Sequence, residues 1–156
     1  MKTPATEQLA RARGAACTCG RARPGVHGPH VAGCPASPRV LVCDDSQIIC
    51  DLAEYALTAA GFQVATRSTA IGLSGVVRAT RPDLVVLDVE MPAITGPEAC
   101  ARIRRASPAT LIVLFSSVAR LEELSRTCAA DAWLPKGLGV DALVAKARQM
   151  TKGCRA

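Results

Sequence analysis

The sequence has few aromatic residues and no long hydrophobic run. Its 156 residues include one Trp, one Tyr and two Phe, which leaves little surface on which nucleic-acid bases could stack. The apolar runs are far shorter than the roughly 18 residues that a membrane-spanning helix needs. The first residues lead into alanine, arginine and glycine, so the apolar stretch of a secretory signal is missing. We therefore expect a cytoplasmic protein that binds no membrane.

The chain has little excess positive charge outside its first part. The net charge is +6, but residues 1–39 hold six Lys and Arg against one Glu, and residues 40–156 hold thirteen against twelve acidic residues. A near-neutral body has no broad basic face for DNA. We therefore expect no nucleic acid among the partners, and the length favours one main domain.

Residues 1–38 lack the apolar period of a helix or strand, because glycine and proline interrupt it. This leader is basic and contains five candidate metal ligands, which are Cys17, Cys19, His27, His30 and Cys34. They suffice for a tetrahedral Zn²⁺ site that would order the segment. The alternative is a disordered basic arm, and the sequence leaves both open. The cysteines within apolar or helical patterns are expected to be packing residues; they are Cys43, Cys50, Cys100 and Cys128.

From residue 39 onward, short apolar runs alternate with amphipathic stretches, which is typical of a parallel sheet covered by helices. We predict one domain over residues 39–152 and a short tail over residues 153–156. The predicted strands cover residues 40–43, 63–66, 84–87, 111–115 and 132–134. The predicted helices follow Ser46, cover residues 69–80, 97–107 and 120–130, and follow Asp141.

The first predicted helix has Ser46 as its N-cap and Gly61 as its stop signal. Amphipathic helices turn an apolar stripe toward the core. The stripe of this helix consists of Ile48, Ile49, Leu52, Ala56 and Ala59. Asp141 is the expected cap of the last helix, whose apolar residues are Leu143, Val144 and Ala147.

Polar residues follow four of the predicted strands. Asp44 and Asp45 follow the first strand, Asp88 the third, Ser116 the fourth and Lys136 the fifth. In open parallel sheets, functional groups gather beyond the carboxyl ends of the strands. Clustered carboxylates need a compensating cation, and oxygen ligands suit Mg²⁺. A carboxylate there can accept a phosphoryl group, with a lysine and a hydroxyl stabilising the transferred charge.

Four segments at these strand ends carry a resemblance to a known family. They are LVCDDS at 41–46, LVVLDVEMP at 84–92 with Gly96, LFSS at 114–117 and WLPK at 133–136. Together they resemble the receiver domain of bacterial response regulators, of the chemotaxis-regulator type, over about residues 39–152. The resemblance implies a flavodoxin-like, doubly wound α/β fold with five parallel strands in the order 2-1-3-4-5 and helices on both faces.

The same resemblance implies a phosphorylation switch of a two-component phosphorelay. Asp88 would accept a phosphoryl group from a histidine kinase or a phosphotransfer protein. Asp45 and Asp88 would bind Mg²⁺ or Mn²⁺ directly with the backbone carbonyl of Glu90, and Asp44 would act through metal-bound water. The protein would catalyse only its own phosphorylation and dephosphorylation.

The resemblance also assigns the residues around the phosphoryl group. Ser116 and Lys136 would contact it, and Trp133 occupies the position of the aromatic switch. Pro92 and Gly96 are expected to form turns. The family usually has a proline after the lysine, with a cis peptide bond, whereas Gly137 stands here. The family's shape for this loop therefore does not carry over.

Two other functions remain as alternatives. A pseudo-receiver would serve only as a docking module, although the set of acid, hydroxyl and lysine residues argues against it. A phosphatase of the haloacid-dehalogenase type also uses an aspartate at a strand end, but its Asp-x-Asp pattern is absent because Glu90 takes the second position. After the last predicted helix we expect no output domain, so signalling would pass through contacts with a downstream protein.

Overall fold

The computed structural model describes residues 37–152. The strands are β1 (Arg39–Cys43), β2 (Gln63–Arg67), β3 (Leu84–Leu87), β4 (Leu111–Ser116) and β5 (Ala132–Pro135). The helices are α1 (Gln47–Ala59), α2 (Leu73–Thr80), α3 (Gly96–Ala106), α4 (Leu121–Thr127) and α5 (Gly139–Thr151), with a 3-10 turn at Lys136–Leu138. The five strands form one parallel sheet in the order β2-β1-β3-β4-β5. This confirms the predicted fold class and strand order.

The central strands are buried on both faces because helices cover the sheet on each side. Every residue of β3 is buried, and so is every residue of β1 after Arg39. Continuous apolar runs such as Leu84–Leu87 are typical of strands in that position. The edge strands β2 and β5 are only partly buried.

Alternate side chains of the sheet pack into two separate cores. One core lies under α2, α3 and α4, and its residues from the central strands are Leu41, Cys43, Val85, Leu87, Ile112 and Leu114. The other lies under α1 and α5, and its residues from the same strands are Val40, Val42, Leu84, Val86, Val113 and Phe115. The strand order reverses between β1 and β3, so the carboxyl ends of these two strands flank the crevice in which such sheets bind ligands.

Helix α1 begins after Ser46 and ends before Gly61, as predicted, and Gly61 has the positive φ of +92° that favours glycine. The predicted orientation of its apolar stripe is wrong. Ile48 and Leu52 are 71% and 48% exposed, and Ala59 is also exposed. The side chains that α1 buries are Cys50, Ala53 and Leu57. The helix therefore carries two apolar stripes, and the spacing alone does not tell which one faces the sheet.

Three further differences concern the ends of helices. Asp141 lies in the first turn of α5 and is not its N-cap, because the helix begins earlier, at Gly139, with Leu138 as the N-cap. Its carboxylate still favours the positive end of the helix dipole. Helix α2 begins only after Gly72, whose φ is +71°, and α4 ends at Thr127. Leu143 and Ala147 are buried in the core, as predicted.

The cysteines at positions 43, 50, 100 and 128 are buried, in agreement with the predicted packing role. Within residues 37–152, no helix is both long enough and apolar enough to cross a membrane. The five candidate zinc ligands of the leader, which are Cys17, Cys19, His27, His30 and Cys34, lie outside the described residues.

Two leucines of α1 provide a matched test of how the helix is oriented. Leu57 is fully buried, so Leu57→Ala should lower the free energy of unfolding by about 2–5 kcal/mol. Leu52 is half exposed, so Leu52→Ala should cost less than about 1 kcal/mol. Urea unfolding followed by circular dichroism measures both losses. A larger loss for Leu52→Ala would show that the helix is turned the other way.

Candidate functional site

Three aspartates meet beyond the carboxyl ends of β1 and β3. Asp44 and Asp45 follow β1 directly, and Asp88 follows β3. Asp44, Asp45 and Asp88 each offer a carboxylate oxygen, and these oxygens all lie within 4.8 Å of one another. Asp44 and Asp88 are buried, whereas Asp45 is exposed. The cluster therefore has a buried floor and one carboxylate at its mouth.

The ammonium group of Lys136 lies between the two buried carboxylates. Its Nζ is 2.6 Å from Asp44 Oδ2 and 3.3 Å from Asp88 Oδ2. Lys136 is the first residue after β5, so it reaches the cluster from the far edge of the sheet. One positive charge thus faces three carboxylates, which leaves the site with an excess of negative charge when all are ionised.

Backbone amides hold the two buried carboxylates in place. The N–H of Val89 donates to Asp88 Oδ1 at 2.8 Å, and the N–H of Ser46 donates to Asp44 Oδ1 at 2.9 Å. Ser46 is thus the N-cap of α1 by position, but its side chain makes no capping hydrogen bond. Each aspartate keeps Oδ2 for the lysine, so both carboxylates have a defined orientation before any ligand arrives.

The electrostatics of the site agree with this arrangement. Burial raises the pKa of the Asp44 carboxyl, and the charge of Asp88 adds to the rise, although Lys136 and the Ser46 amide oppose it. Burial alone would lower the pKa of Lys136, but the hydrogen bond to Asp44 and the charges of Asp88 and Asp44 outweigh it, so the pKa is raised. The lysine is therefore an ammonium at neutral pH, and the acidic cluster favours additional positive charge.

Cys43, the residue before the acidic pair, does not contribute a reactive group. Its Sγ lies 3.7 Å from Met91 Sδ in the core, and burial raises the pKa of its thiol to about 12. A thiol with such a pKa is protonated and a weak nucleophile at neutral pH. The cysteine is thus part of the packing beneath the site.

Gly96 allows the site to close around Asp88. Its N–H donates to the carbonyl of Val89 at 2.8 Å. A Cβ at this position would lie 2.3 Å from the Asp88 carbonyl oxygen and 2.7 Å from Val89 Cα. The start of α3 therefore packs directly against the backbone that carries Asp88. From the sequence we predicted only a turn at Gly96. The one sign of this close contact in the sequence was the glycine itself, four residues after the 84–92 motif.

Ser116 and Trp133 lie on β4 and β5, the two strands that follow β3 across the sheet. Ser116 is the last residue of β4 and is buried. Trp133 pairs in register with Leu114, and Ser116 stands two residues beyond Leu114, so Ser116 and Trp133 share one face of the sheet. The tryptophan is 37% exposed on the edge strand. The lysine loop contains no cis peptide bond, nor does any other part of residues 37–152.

The oxygen-rich cluster fits a hard divalent cation. Three carboxylates within 4.8 Å supply the ligand type that Mg²⁺ prefers, and Mg²⁺ usually keeps several waters and uses only one or two carboxylates directly. Asp45 is exposed to solvent, so such waters can be supplied from that side. The structure thus brings together the predicted acidic residues and Lys136 in one pocket, with Glu90 at the exposed rim.

Comparison with known protein families agrees with the fold. The family model described as the response regulator receiver domain matches residues 40–148. The transcriptional regulatory protein AfsQ1 of Streptomyces coelicolor is 40% identical over 77 residues, which is 49% of this chain and 34% of that protein. The response regulator MprA of Mycobacterium bovis is 27% identical over 118 residues, which is 74% of this chain and 51% of that protein. This chain thus spans about half or less of the length of these relatives.

Solved structures share the fold. The chemotaxis protein CheY4 of Vibrio cholerae superposes with a TM-score of 0.67 at 24% identity, over 73% of this chain and 98% of that chain. A CheY-like receiver domain protein of Methanospirillum hungatei has a TM-score of 0.70 at 23% identity, over 75% of this chain and 95% of that one.

The contact at Gly96 generates a prediction with a control in the same protein. Gly96→Ala should lower the free energy of unfolding by about 1–3 kcal/mol, because its Cβ would overlap backbone that the core holds in place. Gly75→Ala in α2 meets no atom within 4 Å, so it should raise stability by about 0.4–1 kcal/mol. Urea unfolding measures both. A neutral Gly96→Ala would show that the Asp88 backbone can move aside at little cost.

Magnesium should stabilise the folded chain through the three carboxylates. At a concentration about ten times its dissociation constant, a ligand that binds only the folded state adds about 1.4 kcal/mol, which raises Tm by about 5 °C in a domain of this size. Scanning calorimetry with and without MgCl₂ measures the rise. Asp45→Asn should reduce it strongly, whereas Asp141→Asn, an exposed change on α5, should leave it intact. An equal rise in both variants would place the ion elsewhere.

Proposed function

Because this chain belongs to the response regulator receiver domain family, we propose that it is a signalling switch in which Asp88 accepts a phosphoryl group. One observation carries the proposal. A buried aspartate at the carboxyl end of the central strand has two further carboxylates within 4.8 Å and a lysine Nζ at 3.3 Å. This is the arrangement expected of a carboxylate that reacts at phosphorus while nearby charges balance the transferred group.

The donor we propose is a phosphorylated histidine of a histidine kinase or a phosphotransfer protein. A carboxylate oxygen of Asp88 forms a bond to phosphorus as the bond between phosphorus and the histidine nitrogen breaks, and the released imidazole takes a proton from solvent. The Val89 N–H holds Oδ1 at 2.8 Å. This contact fixes the orientation of the carboxylate relative to the incoming phosphoryl group, which favours in-line attack.

Lys136 and Ser116 then take up the charge of the product. The ammonium group already lies within 3.3 Å of Asp88 Oδ2, so a small displacement brings it to a phosphoryl oxygen. Ser116 ends β4, the strand next to β3, and would offer a hydroxyl donor. Phosphoryl transfer depends mainly on positioning and electrostatic stabilisation. These two groups would supply the positive charge and the hydrogen-bond donor that carboxylates cannot offer to phosphoryl oxygens.

Asp45 and Asp88, together with the backbone carbonyl of Glu90, would hold Mg²⁺, and Asp44 would contact it through water. The ion supplies positive charge against the phosphoryl oxygens when it is bound. Asp44 meanwhile keeps Lys136 in place through the contact of 2.6 Å. Asp44 and Asp88 would thus each contribute to holding both the ion and the lysine.

Phosphorylation would reach partner proteins through the β4–β5 side of the sheet. Ser116 and Trp133 share one face there, and Trp133 stands partly exposed on the edge strand. A hydroxyl drawn toward the phosphoryl group would vacate space toward which the indole can turn, which changes the surface formed by α4, β5 and α5. A downstream protein would bind the phosphorylated and unphosphorylated forms of that surface with different affinities.

Phosphoramidate and Mg²⁺ provide a direct test that needs no kinase. The intact mass of the protein should increase by one phosphoryl group, and alkali should remove that group because acyl phosphates hydrolyse readily. Asp88→Asn should abolish the gain, since the nucleophilic carboxylate is lost. The matched control is Asp141→Asn, which removes an exposed carboxylate of α5 and should react like the unmodified chain.

The other outcomes each overturn the proposal in a different way. Steady hydrolysis of p-nitrophenyl phosphate without a stable mass gain would identify a phosphatase. No mass change in the unmodified chain, while Mg²⁺ still raises Tm, would identify a docking module that binds the ion but does not react. A gain that persists in Asp88→Asn would move the acceptor to another residue.

A further inference from the structure

Helix α1 presents an apolar stripe to solvent that no described residue covers. Ile48, Leu52 and Tyr55 are 71%, 48% and 79% exposed. Their spacing of four and three residues places them on one side of the helix. They make up half of the six large hydrophobic residues that are exposed in residues 37–152. Single exposed apolar residues are ordinary, but a contiguous row on one helix indicates a surface that binds something.

The charged residues of α1 itself are both acidic. Asp51 and Glu54 lie on the same helix, and residues 47–59 contain no Lys or Arg. Asp51 is exposed and accepts a hydrogen bond from the neutral amide of Gln47 at 2.7 Å. An occupant of this face should therefore combine small apolar side chains with positive charge.

The leader, residues 1–38, is basic and contains small apolar residues, and it joins the fold next to one end of α1. Residues 1–36 contain five Lys and Arg and a single Glu. The carbonyl of Pro38 accepts a hydrogen bond from the N–H of Gln63 at 3.0 Å, and Gln63 stands only four residues after the end of α1. The chain preceding Pro38 thus begins beside the carboxyl-terminal end of the helix that carries the stripe.

The length of the leader also fits. Helix α1 has 13 residues and is therefore about 20 Å long. Segment 21–36 has 16 residues, and a generic flexible chain of that length has a root-mean-square span of about 22 Å. A tether whose span matches the distance to its site has an effective concentration in the millimolar range. Weak contacts along α1 would suffice at that concentration.

We propose that residues 21–36 bind along α1 of the same molecule. Val26 and Val31 contact the apolar stripe, and Arg21 and Arg23 lie beside Asp51 and Glu54. This binding does not rest on the proposed function.

Tyr55 is the only tyrosine of the chain and therefore reports on the stripe directly. The full chain with ring-labelled tyrosine is titrated with an uncharged gadolinium chelate, and the paramagnetic relaxation of the ring protons measures how open the ring is to solvent. Arg21→Glu with Arg23→Glu should raise this relaxation about twofold or more, because the segment leaves the helix. Arg11→Glu with Arg13→Glu makes the same charge change outside the segment and should have little effect.

A charge swap provides the decisive comparison. Asp51→Lys with Glu54→Lys should raise the relaxation like the Arg21 and Arg23 reversal, and combining the two reversals should return it to the level of the unmodified chain. Equal relaxation in all variants would overturn the proposal. A protein-concentration dependence would overturn it as well, since it would assign the stripe to a second copy. The readout needs no phosphorylation, so its result is separate from that of the Asp88 experiment.

Discussion

Like-charge repulsion among three carboxylates is the constraint on which the rest of the site depends. Asp44, Asp45 and Asp88 come within 4.8 Å, and two of them are buried, so the cluster is costly unless cations and hydrogen-bond donors surround it. Lys136 answers part of this need at 2.6 and 3.3 Å. The negative charge that Lys136 does not balance gives the folded chain an affinity for cations. Stability and ligand binding are therefore linked, because the repulsion among these carboxylates, which lowers the stability of the fold, also favours the binding of a divalent ion.

The fold sets this repulsion up through strand order. The reversal between β1 and β3 brings two strand ends side by side, and both continue directly into aspartates. Lys136 arrives from β5, two strands away from β3, because its long side chain spans the intervening β4 edge. Gly96 then closes the arrangement from α3, since only a residue without Cβ fits against the Asp88 carbonyl. The site is rigid for this reason: its backbone is clamped between the sheet and a helix start, and amides orient its carboxylates.

Much of this could be predicted from the sequence, because the relevant signals are local. Apolar runs bounded by turn residues indicated the strands, and acids directly after such runs indicated the crevice. The ends of helices were less predictable. Asp141 has the residue type of a cap, yet the N-cap of α5 is Leu138, three residues earlier, and the helix contacts the 3-10 turn that begins at Lys136. The close contact of Gly96 with Asp88 joins two elements in space, and such contacts leave only a weak trace in one sequence.

The orientation of α1 was not predictable for a different physical reason. Ile48 and Leu52 would bury more apolar area than Cys50 and Ala53, so an isolated helix would favour the larger stripe. The sheet imposes the opposite choice. Ser46 must donate its N–H to Asp44, and Cys50 lies over the same strand end with its Sγ 3.3 Å from the Asp44 carbonyl. The acidic cluster thus fixes the rotation of the helix that follows it, and the larger apolar side chains turn outward as a consequence. The hydrogen bonds that orient Asp44 thus set the rotation of α1, and this rotation exposes the apolar residues Ile48 and Leu52.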